Sequence, residues 1–145
     1  MGHRRRARES ALQMLYQIDQ TAVPAKEVFG QFWASQEADE GSKAFAESLV
    51  QGVVERIAGL DEVISASAEN WRIERMAVVD RNVLRIAVFE MLYQGATPAA
   101  VVIDEAIEVS KKFGSEASGT FINGILDAVR RRIEQGLIER EPEGD

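Results

Sequence analysis

Residues 76–93 read MAVVDRNVLRIAVFEMLY and are apolar almost all round a helix. At about 100° per residue the valines, leucines, isoleucine, phenylalanine and methionines fall on every side, whereas a surface helix carries a single apolar stripe. A helix that is hydrophobic on all sides is stable only when other elements surround it. The segment therefore predicts a central helix around which the rest of the chain packs.

The flanking sequence is helical in pattern and contains no convincing strand hairpin. One helix has an apolar residue at every fourth position, at Phe45, Leu49, Val53 and Ile57. Capping residues and prolines predict where other helices begin, at Pro24, Asp61, Thr97–Pro98 and Ser115. The fold class expected is therefore all-α.

Length and composition fit one compact domain. The 145 residues are 46% hydrophobic and 28% charged, which is ordinary for a globular protein with a real core. We expect the helical domain to span residues 1–138 and the polar, acidic residues 139–145 to fray. The chain shows neither an apolar signal segment nor an apolar run of about 20 residues, so a cytoplasmic location without membrane contact is expected.

Positive charge is concentrated at the start of the chain. Residues 1–10 hold four arginines and one glutamate, whereas the remaining residues hold 13 basic and 23 acidic side chains. The four arginines are Arg4, Arg5, Arg6 and Arg8. Because an acidic body repels polyanions, a focused basic patch favours a nucleic acid or another anionic surface as partner. A solvated, purely structural start of a helix is the alternative.

The first helix gives this basic patch an aromatic neighbour. Its core-facing stripe comprises Ala7, Ala11, Met14, Leu15 and Ile18. Leu12 and Tyr16 lie away from that stripe, on the side of Arg5, and we expect both to be exposed. Arginines can contact phosphates and tyrosine can stack on an unpaired base, so this face predicts RNA binding. Packing of Tyr16 on a neighbouring helix is the other interpretation.

Signals for catalysis, metals and cofactors are weak. The chain has no Cys, its single histidine is His3, and it lacks phosphate-binding and dinucleotide-binding glycine patterns. Acidic residues at 104, 105 and 108 are expected to form a solvated face, with Glu108 paired to Lys112. Gly119 and Gly124 predict close helix packing rather than a partner surface. We therefore expect no enzyme activity, no metal and no cofactor.

Several segments together resemble the NusB family of bacterial transcription antitermination factors. The first is RRRARE followed by ALQMLY, residues 4–9 and 11–16, and the second is VLRIA with EML, residues 83–87 and 90–92. IDEAIE, KFG and FINGILD follow at residues 103–108, 112–114 and 121–127. Their order and spacing cover nearly the whole chain.

The resemblance implies a fold of two three-helix subdomains and a function in transcription. Members of the family bind the single-stranded boxA element of ribosomal RNA leader transcripts. They do so together with NusE, a small-subunit ribosomal protein, and the complex supports antitermination by RNA polymerase. A repeated Met-Leu-Tyr-Gln, at residues 14–17 and 91–94, is compatible with two related subdomains or with coincidence.

Site residues follow from the resemblance by position. Arg4, Arg5, Arg6, Arg8, Tyr16 and Phe121 are implied as RNA-binding residues, and Tyr16 and Asp80 as NusE-binding residues. Each has a structural alternative: Phe121 as core, Asp80 as a helix-start acid, and Arg85 as a structural ion-pair partner or RNA contact. Thr120 replaces a lysine and Ala117 an acid found in relatives, which weakens the case for phosphate contacts from the last helix.

Three other hypotheses compete with an RNA-binding factor. A NusB-like domain also precedes the catalytic domain of some ribosomal RNA cytosine methyltransferases, but those enzymes need a cofactor-binding domain and cysteine chemistry that this chain lacks. A protein-only helical module, or a homodimer that buries the arginine helix, is the second. The third is an anionic-membrane binder, although the short apolar face of the first helix is needed for the core.

Overall fold

The computed structural model describes residues 2–69 and 71–140, and these residues form seven α-helices and one short 3-10 helix. The N-terminal helices are α1 (His3–Thr21), α2 (Ala25–Ala34), α3 (Glu40–Glu55) and α4 (Ile57–Ser67). After the 3-10 helix Ile73–Arg75 come α5 (Val78–Tyr93), α6 (Ala99–Phe113) and α7 (Ser118–Glu134). The all-α prediction is confirmed. The expected acidic tail falls partly on residues 141–145, which lie outside the described residues.

Helix α5 is the central helix that its sequence predicted. Every residue from Asn82 to Leu92 is buried, and α5 contacts α1, α3, α4, α6 and α7. Helices α1, α2 and α3 pack together on one side as a first three-helix group. Helices α5, α6 and α7 form the second, and α4 is an additional helix, Ile57–Ser67, that packs against α5 and α7.

Three helix starts differ from the sequence prediction. Asp61 is not an N-cap: α4 begins at Ile57, and the Asp61 carboxylate accepts two hydrogen bonds from Arg85 at 2.8 and 2.9 Å. Pro98 rather than Thr97 precedes α6. Helix α7 begins at Ser118, three residues later than expected, and the Ser118 hydroxyl accepts a hydrogen bond from the Ser115 N–H.

Leu12 is buried, contrary to the expectation that it lies on an exposed face. Helix α1 packs against α3 as well as against α5 and α6, so two sides of α1 face neighbours. Leu12 is only 2% exposed, whereas Tyr16, one turn further, is 46% exposed. A helix with neighbours on two sides has more than one buried face, so a single apolar stripe does not identify all of its buried residues. The RNA-facing surface therefore does not include Leu12.

Close helix packing occurs at Gly52 rather than at the two glycines expected from the sequence. A Cβ at Gly52 would collide with the ring of Phe89, so α3 and α5 approach closely only because this residue has no side chain. A Cβ at Gly119 would make an ordinary 3.6 Å contact with Ile107, and one at Gly124 would meet nothing within 4 Å. Gly124 therefore faces open space.

Candidate nucleic-acid interface

The first turns of α1 present three exposed arginines, Arg4, Arg5 and Arg6, which we call the arginine tip. Gly2 precedes the helix in the left-handed region with φ 97°, a conformation that glycine adopts without steric strain. Arg4 lies over the Phe45 ring, with its guanidinium carbon 3.9 Å from the ring centroid. Arg6 has no ion-pair partner within the described part of the chain. The tip thus includes cations that neighbouring side chains hold in place, such as Arg4, and, among the described residues, a cation without such a partner, Arg6.

Arg5 is held by a carboxylate from a distant helix. Its Nε and Nη2 donate to the two carboxylate oxygens of Glu105 on α6, both at 2.9 Å. These hydrogen bonds lower the pKa of Glu105, assisted by the charges of Arg5 and Arg8 and opposed by partial burial. The same contact raises the pKa of Arg5. Glu105 is therefore an ion-pair partner, not part of the solvated face expected from the sequence.

Arg8 lies inside the protein rather than on the surface with the arginine tip. Its side chain is 7% exposed, and its Nε and Nη2 donate to Glu90 of α5 at 2.8 and 2.7 Å. Because this side chain is buried, Arg8 does not present its N–H groups to an RNA phosphate at the surface, as the resemblance had implied. Arg8 instead ties α1 to the central helix.

The basic surface continues from α1 to the end of α6. Lys112 Nζ lies 3.0 Å from Glu9 Oε1, while Glu108 pairs with Lys111 at 3.1 Å. The expected pair between Glu108 and Lys112 is therefore wrong, because Lys112 reaches across to α1 instead. Both lysines keep more than half of their side-chain surface exposed, so they remain accessible to a polyanion.

The two partner-binding residues expected from the resemblance differ in accessibility. Tyr16 is 46% exposed on α1, whereas Asp80 in the first turn of α5 is 8% exposed. Asp80 Oδ1 has no hydrogen-bond partner among the described residues. Nearby in the sequence, Arg81 and Asn82 contact Asp19 of α1 at 3.4 and 3.0 Å. Arg85 pairs with Asp61, which favours the structural interpretation of that arginine.

Trp71, in the segment after α4, forms an aromatic pair with Phe121 of α7 and is not among the residues that the sequence predicted for the site. Phe121 is half-buried and meets Trp71 edge to face, with ring centroids 5.3 Å apart and planes at 80°. Trp71 is 56% exposed, more than Tyr16. A tryptophan in a polar segment after α4 was the available sequence signal, since large exposed aromatic rings are uncommon without a binding role.

Titration of Glu105 should report the Arg5 contact directly. Its lowered pKa means that the ion pair stabilises the fold above the ordinary carboxyl value of 4.5, and that this contribution is lost as pH falls through the folded value. We expect an NMR titration of the Glu105 side chain to show a midpoint below 4.5 and Arg5→Ala to move it upward. A native midpoint at the ordinary value would contradict the contact.

Within residues 2–69 and 71–140, no three His, Cys, Asp or Glu side chains gather into a group that could hold a metal ion. No helix in the described part of the chain is long and apolar enough to cross a membrane.

Taken together, the helical fold and this basic, aromatic surface are those of a small helical nucleic-acid-binding protein. The chain belongs to the NusB family, whose family model matches residues 5–131. It is 43% identical to the transcription antitermination protein NusB of Sorangium cellulosum over 97% of this chain and 99% of that protein. It is 54% identical to the NusB of Anaeromyxobacter dehalogenans (strain 2CP-1 / ATCC BAA-258), over 87% and 89%.

Solved structures agree with the family assignment. NusB of T. maritima matches with a TM-score of 0.81 and 34% identity over 93% of this chain and 97% of that one. A structure of the antitermination factors NusB and NusE in complex with dsRNA matches with a TM-score of 0.82 and 27% identity, covering 90% and 98%. The arrangement of helices is thus that of the family.

Proposed function

We propose that this chain is an RNA-binding transcription antitermination factor that binds boxA-type single-stranded RNA of ribosomal RNA leader transcripts together with NusE. It would support antitermination by RNA polymerase, in the cytoplasm, as a binding protein rather than an enzyme. The observation that carries the proposal is the arginine tip on an otherwise acidic molecule, formed by Arg4, Arg5 and Arg6. The family membership and the related NusB–NusE structure with RNA support it.

The proposed RNA-binding residues differ in two places from those that the family resemblance implied. Arg4, Arg5 and Arg6 contact phosphates, and Tyr16 and Phe121 offer aromatic faces for unpaired bases. Trp71 is added because it is exposed beside Phe121, and Arg8 is removed because its side chain is buried against Glu90. Phosphate contacts of this number give modest, salt-sensitive affinity, so a second protein with its own RNA contacts raises affinity and discrimination.

NusE is proposed to bind on the side where α1 meets the start of α5. The net charge of −7 suits a basic ribosomal protein, since complementary charge accelerates association and fixes orientation. Tyr16 is the exposed residue on this side, and we assign it the main contact. Asp80 is buried in the free protein and reaches a partner only if its side chain turns outward.

Binding of labelled boxA-type RNA across a salt series, with and without NusE, tests this proposal. We expect Arg5→Ala/Arg6→Ala to weaken binding about tenfold. We also expect the slope of log affinity against log salt to become shallower by about 0.7 for each phosphate that the variant no longer neutralises. Double-stranded RNA of the same sequence, the form of RNA in the related NusB–NusE structure, shows whether the protein prefers the single strand.

A matched control removes the same charge elsewhere. Arg131→Ala/Arg132→Ala takes two arginines from the groove between α4 and α7, and we expect it to retain near-native RNA affinity. Equal binding by the native protein and the arginine-tip variant, or failure of the native protein to bind RNA with NusE present, would overturn the proposal.

A further inference from the structure

Four charged side chains of alternating sign run from the core to the arginine tip. Glu90 of α5 contacts Arg8 of α1, Arg8 Nη1 lies 3.8 Å from Glu105 Oε1 of α6, and Glu105 contacts Arg5 of α1. The exposed fraction of the side chain rises along this series, from 1% to 7%, 19% and 44%. The most exposed member of the series is the cation Arg5.

The contact between Glu105 and Arg5 uses only one edge of the guanidinium. Nε and Nη2 donate to Glu105, and Nη1 has no acceptor among the described residues. A guanidinium is a rigid planar fork with five N–H donors, so a carboxylate that holds one edge also fixes the direction of the others. Arg5 therefore presents an oriented, unsatisfied edge on an exposed side chain.

We propose that Glu105 is a positioning residue for RNA: it holds Arg5 by its Nε–Nη2 edge so that the remaining N–H groups receive an RNA phosphate. This inference rests on the proposed function and identifies a residue that serves it. Holding the guanidinium in place before RNA arrives removes part of the conformational entropy that a free arginine loses on binding. The Glu90–Arg8 pair fixes Glu105 in turn, because Arg8 is buried and doubly bonded.

Positioning by Glu105 and simple charge repulsion predict opposite changes in RNA affinity when the Glu105 charge is removed. A carboxylate beside a phosphate site repels RNA, so its removal alone would strengthen binding. If Glu105 positions Arg5, its removal weakens binding instead, because Arg5 loses its orientation. We therefore expect Glu105→Gln to bind boxA-type RNA about three- to tenfold more weakly than the native protein. We also expect its salt slope to be shallower by about 0.7.

Glu108 provides a matched control on the same helix. Its charge also acts on Arg5, but its carboxylate contacts Lys111 at 3.1 Å and makes no hydrogen bond to Arg5. Glu108→Gln removes the same charge without releasing Arg5, so we expect binding equal to the native protein or up to about twofold tighter, with an unchanged salt slope. Opposite effects of the two glutamines would support positioning.

A second variant keeps the test independent of any effect of Glu105→Gln on folding. Arg5→Lys retains the positive charge but cannot make the planar two-point contact, and we expect a similar three- to tenfold loss. Native binding by Arg5→Lys, or Glu105→Gln binding as tightly as Glu108→Gln, would overturn the positioning role while leaving the proposed function intact. Absence of RNA binding by the native protein would instead overturn both.

Discussion

Glu90→Gln is expected to lower the free energy of unfolding by about 3–5 kcal/mol, the typical effect of removing one partner of a buried ion pair. Glu90 is 1% exposed and accepts both Arg8 hydrogen bonds, at 2.8 and 2.7 Å. Glutamine retains the shape of the side chain but cancels its charge, so the Arg8 guanidinium keeps only Glu105, 3.8 Å from its Nη1, as a nearby counter-charge. Urea unfolding followed by circular dichroism measures the change.

A double variant shows whether Glu90→Gln destabilises the protein by leaving a buried charge unpaired or by disturbing side-chain packing. Arg8→Met/Glu90→Leu replaces the pair by apolar side chains, and we expect it to recover most of the stability that Glu90→Gln removes, because no buried charge is left unpaired. Arg131→Ala, which removes an exposed contact to Asp127, should change stability by less than about 1 kcal/mol. A decrease below about 1 kcal/mol in Glu90→Gln would show that Arg8 finds another partner or water.

The central helix could be predicted because its sequence carries the information locally. Residues 76–93 are apolar on all sides, and a helix of that kind is buried wherever it lies. The roles of the arginines could not be read in the same way. Arg4, Arg5, Arg6 and Arg8 stand in one run, and only the packing of α1 against α5 and α6 decides which of them is buried.

Contacts between residues distant in sequence account for the other differences. Glu105 lies 100 positions from Arg5, and Lys112 lies 103 positions from Glu9. The local pattern offered Lys112 a partner one turn away, but the fold brings Glu9 closer. Leu12 is a related case, because α3 covers a side of α1 that the single apolar stripe leaves to solvent. The spacing of apolar residues predicts one buried face of a helix, but it does not show how many other helices pack against that helix.

The repeated Met-Leu-Tyr-Gln of residues 14–17 lies on α1, and that of residues 91–94 lies at the end of α5; the two helices pack antiparallel. Arg8 near the start of α1 meets Glu90 near the end of α5, and Asp19 near the end of α1 meets Arg81 near the start of α5. Arg8 and Arg85 each stand six residues before a copy of the repeat, and both are buried in ion pairs. These two arginines thus have the same structural role, since each ties its helix to a carboxylate on another helix.

Trp71→Ala is expected to weaken binding of boxA-type RNA by about 1–3 kcal/mol, which is roughly 5- to 150-fold, the range measured for the loss of one base-stacking side chain. Trp71 is 56% exposed, and its edge-to-face contact with Phe121 holds the ring beside a second aromatic side chain. A ring that is both exposed and supported loses little freedom when a base stacks on it. Fluorescence anisotropy of a labelled boxA-type RNA, titrated with the native protein and with Trp71→Ala, measures both affinities.

Trp71→Phe tests whether any aromatic ring at this position is enough for RNA binding. Phenylalanine keeps an aromatic face, so we expect most of the affinity to remain and the salt slope to be unchanged, because an uncharged ring neutralises no phosphate. The Arg5→Ala/Arg6→Ala variant should differ from Trp71→Phe, because it loses phosphate contacts and its salt slope becomes shallower. Because Trp71 is largely exposed, its removal should leave thermal stability near the native value. Native affinity in a folded Trp71→Ala would place the RNA bases elsewhere, while the arginine tip would still account for the phosphate contacts.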